Sequence, residues 1–253
     1  MLYFGKTDIG KKRKGNQDSF GIYRIAENAL LLAVCDGMGG AAGGEEASRI
    51  ALDSFSREVS DVCAPRVSDG MFDASEVDMR LMLGNAASEA NKAVFAKANE
   101  NPELEGMGTT LVALFVVGHF AYSVNVGDSR LYRIEDGKIS QVTHDHSYVQ
   151  YLVDIGKLTP EEARTNANRN IIMRAVGTAE TVEADIEALD LGEGGNNLAF
   201  LLCSDGLTNM VSDDEIASIV SGEGTPDEKT DKLIAEANGN GGADNITAVL
   251  LEL

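Results

Sequence analysis

Leu198-Ala199-Phe200-Leu201-Leu202-Cys203-Ser204-Asp205-Gly206 is an unbroken apolar run stopped by a serine, an aspartate and a glycine. A run of that length, closed by turn residues, reads as a buried β-strand. The aspartate at its end stands on a rigid element with its carboxylate facing the open edge. The pattern recurs in Leu30-Leu31-Leu32-Ala33-Val34-Cys35-Asp36-Gly37 and in Val124-Asn125-Val126-Gly127-Asp128. It returns reversed in Asp244-Asn245-Ile246-Thr247-Ala248-Val249-Leu250. Carboxylates gathered at one place repel unless a cation sits among them. Carboxylate and carbonyl oxygens favour hard ions such as Mg²⁺ and Mn²⁺. The chain is therefore expected to be built around a metal cluster.

A lone Asp-Gly is a turn signal and nothing more. Asp136-Gly137, between Leu131-Tyr132-Arg133-Ile134 and Lys138-Ile139-Ser140-Gln141-Val142, fits that case and is expected to close a hairpin without chemistry.

At 253 residues, with no Pro/Ser-rich linker and no internal repeat, one domain spanning 1–253 is the expected organisation. Lysine and arginine total 21 against 41 acidic residues, a formal net charge of −20. That field disfavours nucleic acid and anionic membranes and attracts divalent cations. No apolar stretch reaches the length of a membrane span, and the N-terminus carries no basic-then-apolar leader. The three cysteines show no C-x-x-C spacing, which argues against zinc. Cys35 and Cys203 read as small buried hydrophobes and Cys63 as a loop residue. A cytoplasmic protein with reduced thiols and no membrane insertion is expected.

Short strands are expected at Leu2–Gly5 and Ser19–Tyr23, separated by the basic patch Lys11-Lys12-Arg13-Lys14. A glycine-rich turn, Gly37 to Gly44, leads to helical periodicity over Glu45–Val59. A second helix is expected over Ala74–Asn99, with Val77, Leu81, Ala87, Ala90 and Val94 as its apolar stripe. Thr109–Val142 reads as a four-stranded meander. Asp145–Arg174 is polar, with helical patches at Tyr148–Ile155 and Pro160–Arg164. Strands at Val182–Leu189 and Leu198–Cys203, helices at Asp213–Val220 and Pro226–Ala237, and a closing strand at Ile246–Leu253 complete the chain. Helices grouped early and strands grouped later make the class α+β. The glycine-rich turn lacks G-x-x-x-x-G-K-[ST] and a G-x-G-x-x-G fingerprint, so a nucleotide loop is disfavoured. The absence of G-x-S-x-G argues against a serine hydrolase.

In order along the chain stand Arg13-Lys14-Gly15-Asn16-Gln17-Asp18, Asp36-Gly37-Met38-Gly39-Gly40, Gly108-Thr109-Thr110 and Gly127-Asp128-Ser129-Arg130. Asp145-His146-Ser147, Ser204-Asp205-Gly206-Leu207 and Asp244-Asn245-Ile246-Thr247 follow. Each is a weak signal alone, but seven in this order over the whole length resemble the PPM family of metal-dependent protein phosphatases. These are the type 2C serine/threonine phosphatases, and the likeness is greatest to their compact bacterial members. The resemblance implies a four-layer α-β-β-α sandwich of two antiparallel sheets flanked by helix pairs, with metals in a cleft at one end. It implies that Asp36, Asp205, Asp244 and the Gly37 carbonyl surround two Mn²⁺ or Mg²⁺ ions. Asp18 holds waters on those ions, and Asp128 joins Asp205 at a third, weaker ion. Arg13 grips the substrate phosphate, for which its fork of permanently charged donors is suited. Arg13, Asp36 and Asp205 are thus the expected catalytic residues, with Arg13 also binding substrate. Two ions sharing a water lower its pKa and make it a nucleophile at phosphorus, with no covalent phosphoenzyme.

Met38 departs from many eukaryotic members, which carry a histidine there as a proposed acid for the leaving group; a thioether cannot donate a proton. His119, His144 and His146 are assigned no chemistry, His119 being expected to begin a strand and His146 to order a loop. The resemblance makes residues 145–174 the flap beside the cleft. The expected function is hydrolysis of phosphoserine and phosphothreonine in phosphorylated proteins, opposing a serine/threonine kinase in signalling, by a monomer. The alternatives are a catalytically inactive scaffold of this fold, or a partner-switching phosphatase of a small regulatory protein. Retention of Asp36, Asp205 and Asp244 argues against the scaffold, and the absence of a sensor domain against the switch.

Overall fold

Strands that are apolar on both faces need cover on both sides, and this chain supplies it in layers. The computed structural model describes residues 1–75, 77–192 and 197–253. The elements begin with β1 (Leu2–Asp8), β2 (Asp18–Ala26), β3 (Ala29–Met38) and α1 (Gly40–Cys63). A small hairpin, β4 (Val67–Ser68) and β5 (Met71–Phe72), precedes α2 (Met79–Glu100) and β6 (Gly108–Thr109). Then come β7 (Leu111–Val117), β8 (Phe120–Val126), β9 (Arg130–Glu135), β10 (Lys138–Gln141), α3 (Tyr148–Asp154) and α4 (Pro160–Thr165). The chain continues through β11 (Asp185–Asp190), β12 (Leu198–Cys203), α5 (Asp205–Thr208), α6 (Asp213–Ser221), α7 (Pro226–Gly239) and β13 (Ile246–Glu252).

One sheet runs β1-β13-β12-β9-β10 and the other β11-β8-β7-β3-β2, with β6 extending the pairing of β3; all neighbours are antiparallel. The alternation along β3 shows how the layers form. Leu30, Leu32 and Val34 face Phe200, Leu202, Val249 and Leu251 between the sheets. Leu31, Ala33 and Cys35 face Phe55 of α1 and Leu83 and Ala90 of α2. On the far side Leu201, Cys203 and Leu250 pack under Ile216, Val220, Leu233 and Ile234 of α6 and α7. Each leucine, isoleucine, valine or phenylalanine among them taken wholly from water contributes roughly 2 kcal/mol. The expected four-layer α-β-β-α arrangement is present.

Several expected boundaries are corrected. The run from Thr109 to Val142 is not one meander: β7 and β8 lie in one sheet, β9 and β10 in the other. The chain crosses between sheets at Gly127-Asp128-Ser129, where Gly127 adopts a left-handed φ of 112°. Helix α1 starts at Gly40, inside the expected glycine turn. The close approach of its first turns to the β3 end explains this, because a Cβ at Gly44 would lie 2.7 Å from Gln17 Nε2 and 2.9 Å from the Gly37 carbonyl carbon. Packing thus overrides the poor helix propensity of glycine. Helix α2 starts at Met79, capped by the Asp78 carboxylate accepting from the Leu81 amide. Val77 therefore precedes the helix, and Leu81 is exposed while Met82, Leu83 and Ala86 are buried. Cys63 ends α1 and is buried against Met82 rather than lying in a loop. His119 sits in the turn before β8 and does not begin it. Asp136-Gly137 does close the β9–β10 hairpin, with φ of 49° and 78°, the primed-turn geometry that suits a two-residue connection. No helix among the described residues is long and apolar enough to cross a membrane.

Candidate metal centre

Sheet register brings the first pair of carboxylates together. Asp18 opens β2 directly opposite Asp36 near the end of β3, so the two side chains share one face. The Asp36 backbone is pinned: its amide donates to Thr110 Oγ1 at 2.9 Å, and its carbonyl accepts from Thr109 Oγ1 and from the Thr110 amide, each at 2.9 Å. Gly37 has ordinary backbone geometry yet must be glycine, because a Cβ would stand 2.0 Å from the Gly44 carbonyl oxygen.

Asp205 follows β12 at the start of α5, and a Cβ on Gly206 would stand 1.9 Å from the Asn245 carbonyl oxygen. That contact draws the Asp205 and Asp244 segments together. Asn245 then gathers the loop carrying Arg13: its Oδ1 accepts from the Gln17 amide at 2.9 Å, and its Nδ2 donates to the carbonyls of Ile9 and Gly15, each at 3.0 Å. Asp128 arrives from the crossover between the sheets.

Asp36, Gly37, Asp128, Asp205, Asp244 and Arg13 all line one cleft of about 570 Å³. Asp18 lies beneath it, buried. Arg13 NH2 donates to Asp244 Oδ2 at 2.7 Å, with about half of the side chain exposed. Among the described residues, no three Asp, Glu, His or Cys side chains stand as a ready-made metal shell. The carboxylates crowd one another instead, Asp36 standing opposite Asp18 across the β2–β3 pairing and sharing the cleft with Asp205.

Their electrostatics show the strain of that gathering. Burial, then the charges of Asp18 and Asp205, hold Asp36 well above the usual carboxylate range. Burial and then Asp205 do the same for Asp128, and burial and then Asp244 raise Asp205. Asp18 is pushed up to about 6, chiefly by burial. Its Oδ2 accepts from Ser204 Oγ at 2.8 Å and Thr247 Oγ1 at 2.6 Å, while Oδ1 is buried with no partner. A buried carboxylate oxygen without a donor is costly, and crowded carboxylates favour a cation among them. The donor set is oxygen alone, which suits Mg²⁺ or Mn²⁺.

Ser204, Thr247 and Asn245 had no expected role. Their signal was a hydrogen-bonding side chain within three positions of an expected metal aspartate. Asp145 was likewise passed over. Its carboxylate takes three bonds from Arg130, Nε at 3.0 and 3.1 Å and NH2 at 2.7 Å, fixing the strand after Asp128. The segment from Asp145 to Arg174 flanks the cleft, Asn170 and Ile172 lining it. His144 Nε2 meets Asp154 Oδ2 at 2.9 Å on the surface. Met38 lines the cleft.

Residues 8–235 match the family described as protein phosphatase 2C. The serine/threonine phosphatase stp of Listeria monocytogenes is 37% identical over 98% of this chain and 94% of its own. The serine/threonine protein phosphatase PstP of Mycobacterium tuberculosis is 37% identical over all of this chain, which spans 45% of that longer protein. Among solved structures, phosphatase Stp1 from Staphylococcus aureus superposes with a TM-score of 0.88 at 37% identity, covering 100% of this chain and 95% of that one. The PstP catalytic domain in complex with two manganese ions gives 0.82 at 36% identity, covering 98% and 96%. Family and fold together support metal dependence of this chain. With aspartates from separate strand ends meeting in one cleft and relatives matched across nearly its whole length, the chain belongs to the protein phosphatase 2C family of serine/threonine phosphatases.

Proposed function

We propose that this chain hydrolyses phosphoserine and phosphothreonine in proteins, as a single-domain cytoplasmic monomer opposing a serine/threonine kinase. The observation that carries the reading is the meeting of Asp36, Asp128, Asp205 and Asp244 with Arg13 in one cleft, above the buried, half-satisfied Asp18. Asp36, the Gly37 carbonyl, Asp205 and Asp244 would hold two Mn²⁺ or Mg²⁺ ions, and Asp128 with Asp205 a third. When bound, such a pair acidifies a water and offsets charge on the reacting phosphate. Asp18 would support waters on those ions from beneath, its Oδ2 being held by Ser204 and Thr247. Arg13 binds the phosphate with its charged fork and, through Asp244, stays aimed at the cleft. Met38, which lines the cleft, cannot donate the leaving-group proton. Residues 145–174 act as the flap over one wall.

The test is release of phosphate from a phosphothreonine peptide by purified protein with Mn²⁺, then with excess chelator. Turnover in Mn²⁺ that stops in chelator is expected. Full turnover in chelator would overturn the metal-dependent reading, and peptide binding without turnover in Mn²⁺ would favour the inactive scaffold.

A further inference from the structure

We propose that His146 is a positioning residue for Asp128, holding the crossover loop so that the Asp128 carboxylate faces the cleft. The inference rests on the reading of Asp128 as a ligand of the outer ion.

Asp128 follows Gly127, which has a left-handed φ of 112° and lies just past the end of β8, outside both sheets. His146 supplies what the sheets do not. Its ring Nδ1 accepts from the Gly127 amide at 3.0 Å, and its own amide donates to the Gly127 carbonyl at 2.9 Å. One residue thereby holds both backbone groups of the position before Asp128. On the other side Ser129 Oγ pairs with Thr110 Oγ1 at 2.7 Å, and Arg130 is held by Asp145. Asp128 is thus buried between two clamped neighbours.

The ring itself is oriented. Because Nδ1 accepts, the proton of the neutral imidazole sits on Nε2, directed at Asp185 Oδ2 at 3.0 Å. Arg174 NH1 also lies 2.9 Å from Nε2 but cannot donate to a protonated nitrogen. It is used instead on Asp185 Oδ1 at 2.6 Å and the Glu183 carbonyl at 3.2 Å. Asp185 belongs to β11 and pairs with Asn125 of β8, the strand that leads into Gly127. The His146 carbonyl, finally, accepts from the Met173 amide at 2.7 Å, tying the far end of the flap to the same residue. A carboxylate, an imidazole and a backbone amide thus stand in line behind a candidate ligand. Partners hydrogen-bonded to a metal ligand itself typically set its affinity by 10–100-fold, and His146, acting through the backbone one residue away, falls at the lower end of that range.

The experiment is calorimetric titration of Mn²⁺ into the metal-free full chain, with thermal melting of each metal-free variant alongside. Asp128→Ala should lose the weakest site. His146→Leu should weaken that site by about tenfold or more, leaving the tighter sites alone. His146→Gln can accept from the Gly127 amide and donate to Asp185, and should stay within about threefold of the parent. Should His146→Leu fail to fold, Asp185→Asn carries the test, with a weakening confined to the same site. An Asp128→Ala protein that binds as much Mn²⁺ as the parent overturns the reading of Asp128 itself. If Asp128→Ala loses the site while His146→Leu or Asp185→Asn keeps it at full strength, the positioning role fails alone. Equal losses of melting temperature in His146→Leu and His146→Gln, with no selective change in Mn²⁺ affinity, would make His146 a packing residue and overturn the inference.

Discussion

The Asp-Gly pair occurs at Asp36-Gly37, Asp69-Gly70, Asp136-Gly137 and Asp205-Gly206, and the two that close hairpins, Asp69-Gly70 and Asp136-Gly137, differ from the other two in what the glycine is for. Gly137 follows Asp136 in a primed turn with positive φ, and a Cβ there would meet nothing within 4 Å. Gly37 and Gly206 have no positive φ, but a Cβ on either would lie 2.0 Å or less from a backbone carbonyl oxygen. In the hairpin, glycine supplies a conformation. In the cleft it supplies proximity, letting the β3 and β12 ends approach the segments that carry the other carboxylates. The same dipeptide therefore marks a turn where the backbone is open and a candidate catalytic end where it is crowded.

The widest separation is expected in catalysis. Asp205→Asn keeps the shape and removes the charge, and phosphopeptide turnover in Mn²⁺ should fall by about a thousandfold, the scale of losing a preorganised electrostatic contact. Asp136→Asn should leave turnover unchanged. Comparable losses in both variants would erase the distinction between the two settings.

The glycines offer the second contrast, read as urea stability of the metal-free proteins. Gly206→Ala drives a methyl group against the Asn245 carbonyl and should cost about 3 kcal/mol, the upper range for forced overpacking. Gly137→Ala only strains a left-handed position in open space and should cost about 1 kcal/mol. A larger loss at Gly137 would mean that conformation, not proximity, limits both settings.

The strand runs were legible because their apolar character is local: β12 matches its expected Leu198–Cys203 span, and the late helices differ only at their ends. The aspartates at the strand ends were legible for the same reason. What escaped depends on pairing across long sequence separations. Nothing in Thr109–Val142 tells a reader that β9 leaves the sheet of β8, since the turn at Gly127 looks like any glycine turn until Thr110 and His146 are packed against it. The first turns of α1 are glycine-rich because the β3 end lies against them, a constraint that propensity reads as loop. Leu81 fits an apolar helical stripe by spacing, but the true helix start at Met79 and the pairing of α2 with α1 place Met82 and Leu83 inward instead. Ser204 and Thr247, far apart in sequence, acquire a role only when β12 and β13 pair and present both hydroxyls to Asp18.

That hydroxyl pair gives the third test. Thr247→Val preserves shape and takes one of two donors from a carboxylate that already has an unpartnered buried oxygen. A loss of about 2 kcal/mol in urea stability is expected, the cost of leaving a buried acceptor short of a donor. No hydroxyl supports Asp136, so the contrast sharpens if turnover also falls in Thr247→Val. Unchanged stability would show that Asp18 is satisfied some other way and that its position beneath the cleft owes little to Thr247.

The smallest effect is expected at Glu215, a carboxylate in the opposite condition to those of the cleft. It is exposed, and its Oε2 accepts from the Ser212 amide at 2.8 Å and from Ser212 Oγ at 2.6 Å in the capping box of α6. The Ser212 side chain first, and then its backbone, hold its pKa below the ordinary value of 4.5. A carboxylate with a depressed pKa in the fold favours the charged form there, so its contribution is present above about 4.5 and is lost as the pH falls through the lower folded value. Glu215→Gln keeps most of the box geometry and abolishes the titration. Its urea midpoint should lie slightly below that of the parent at pH 7 and converge with it as the pH approaches 3. A gap that widened on acidification would reverse the sign, and would mean that Glu215 is held in the fold by something other than the Ser212 cap.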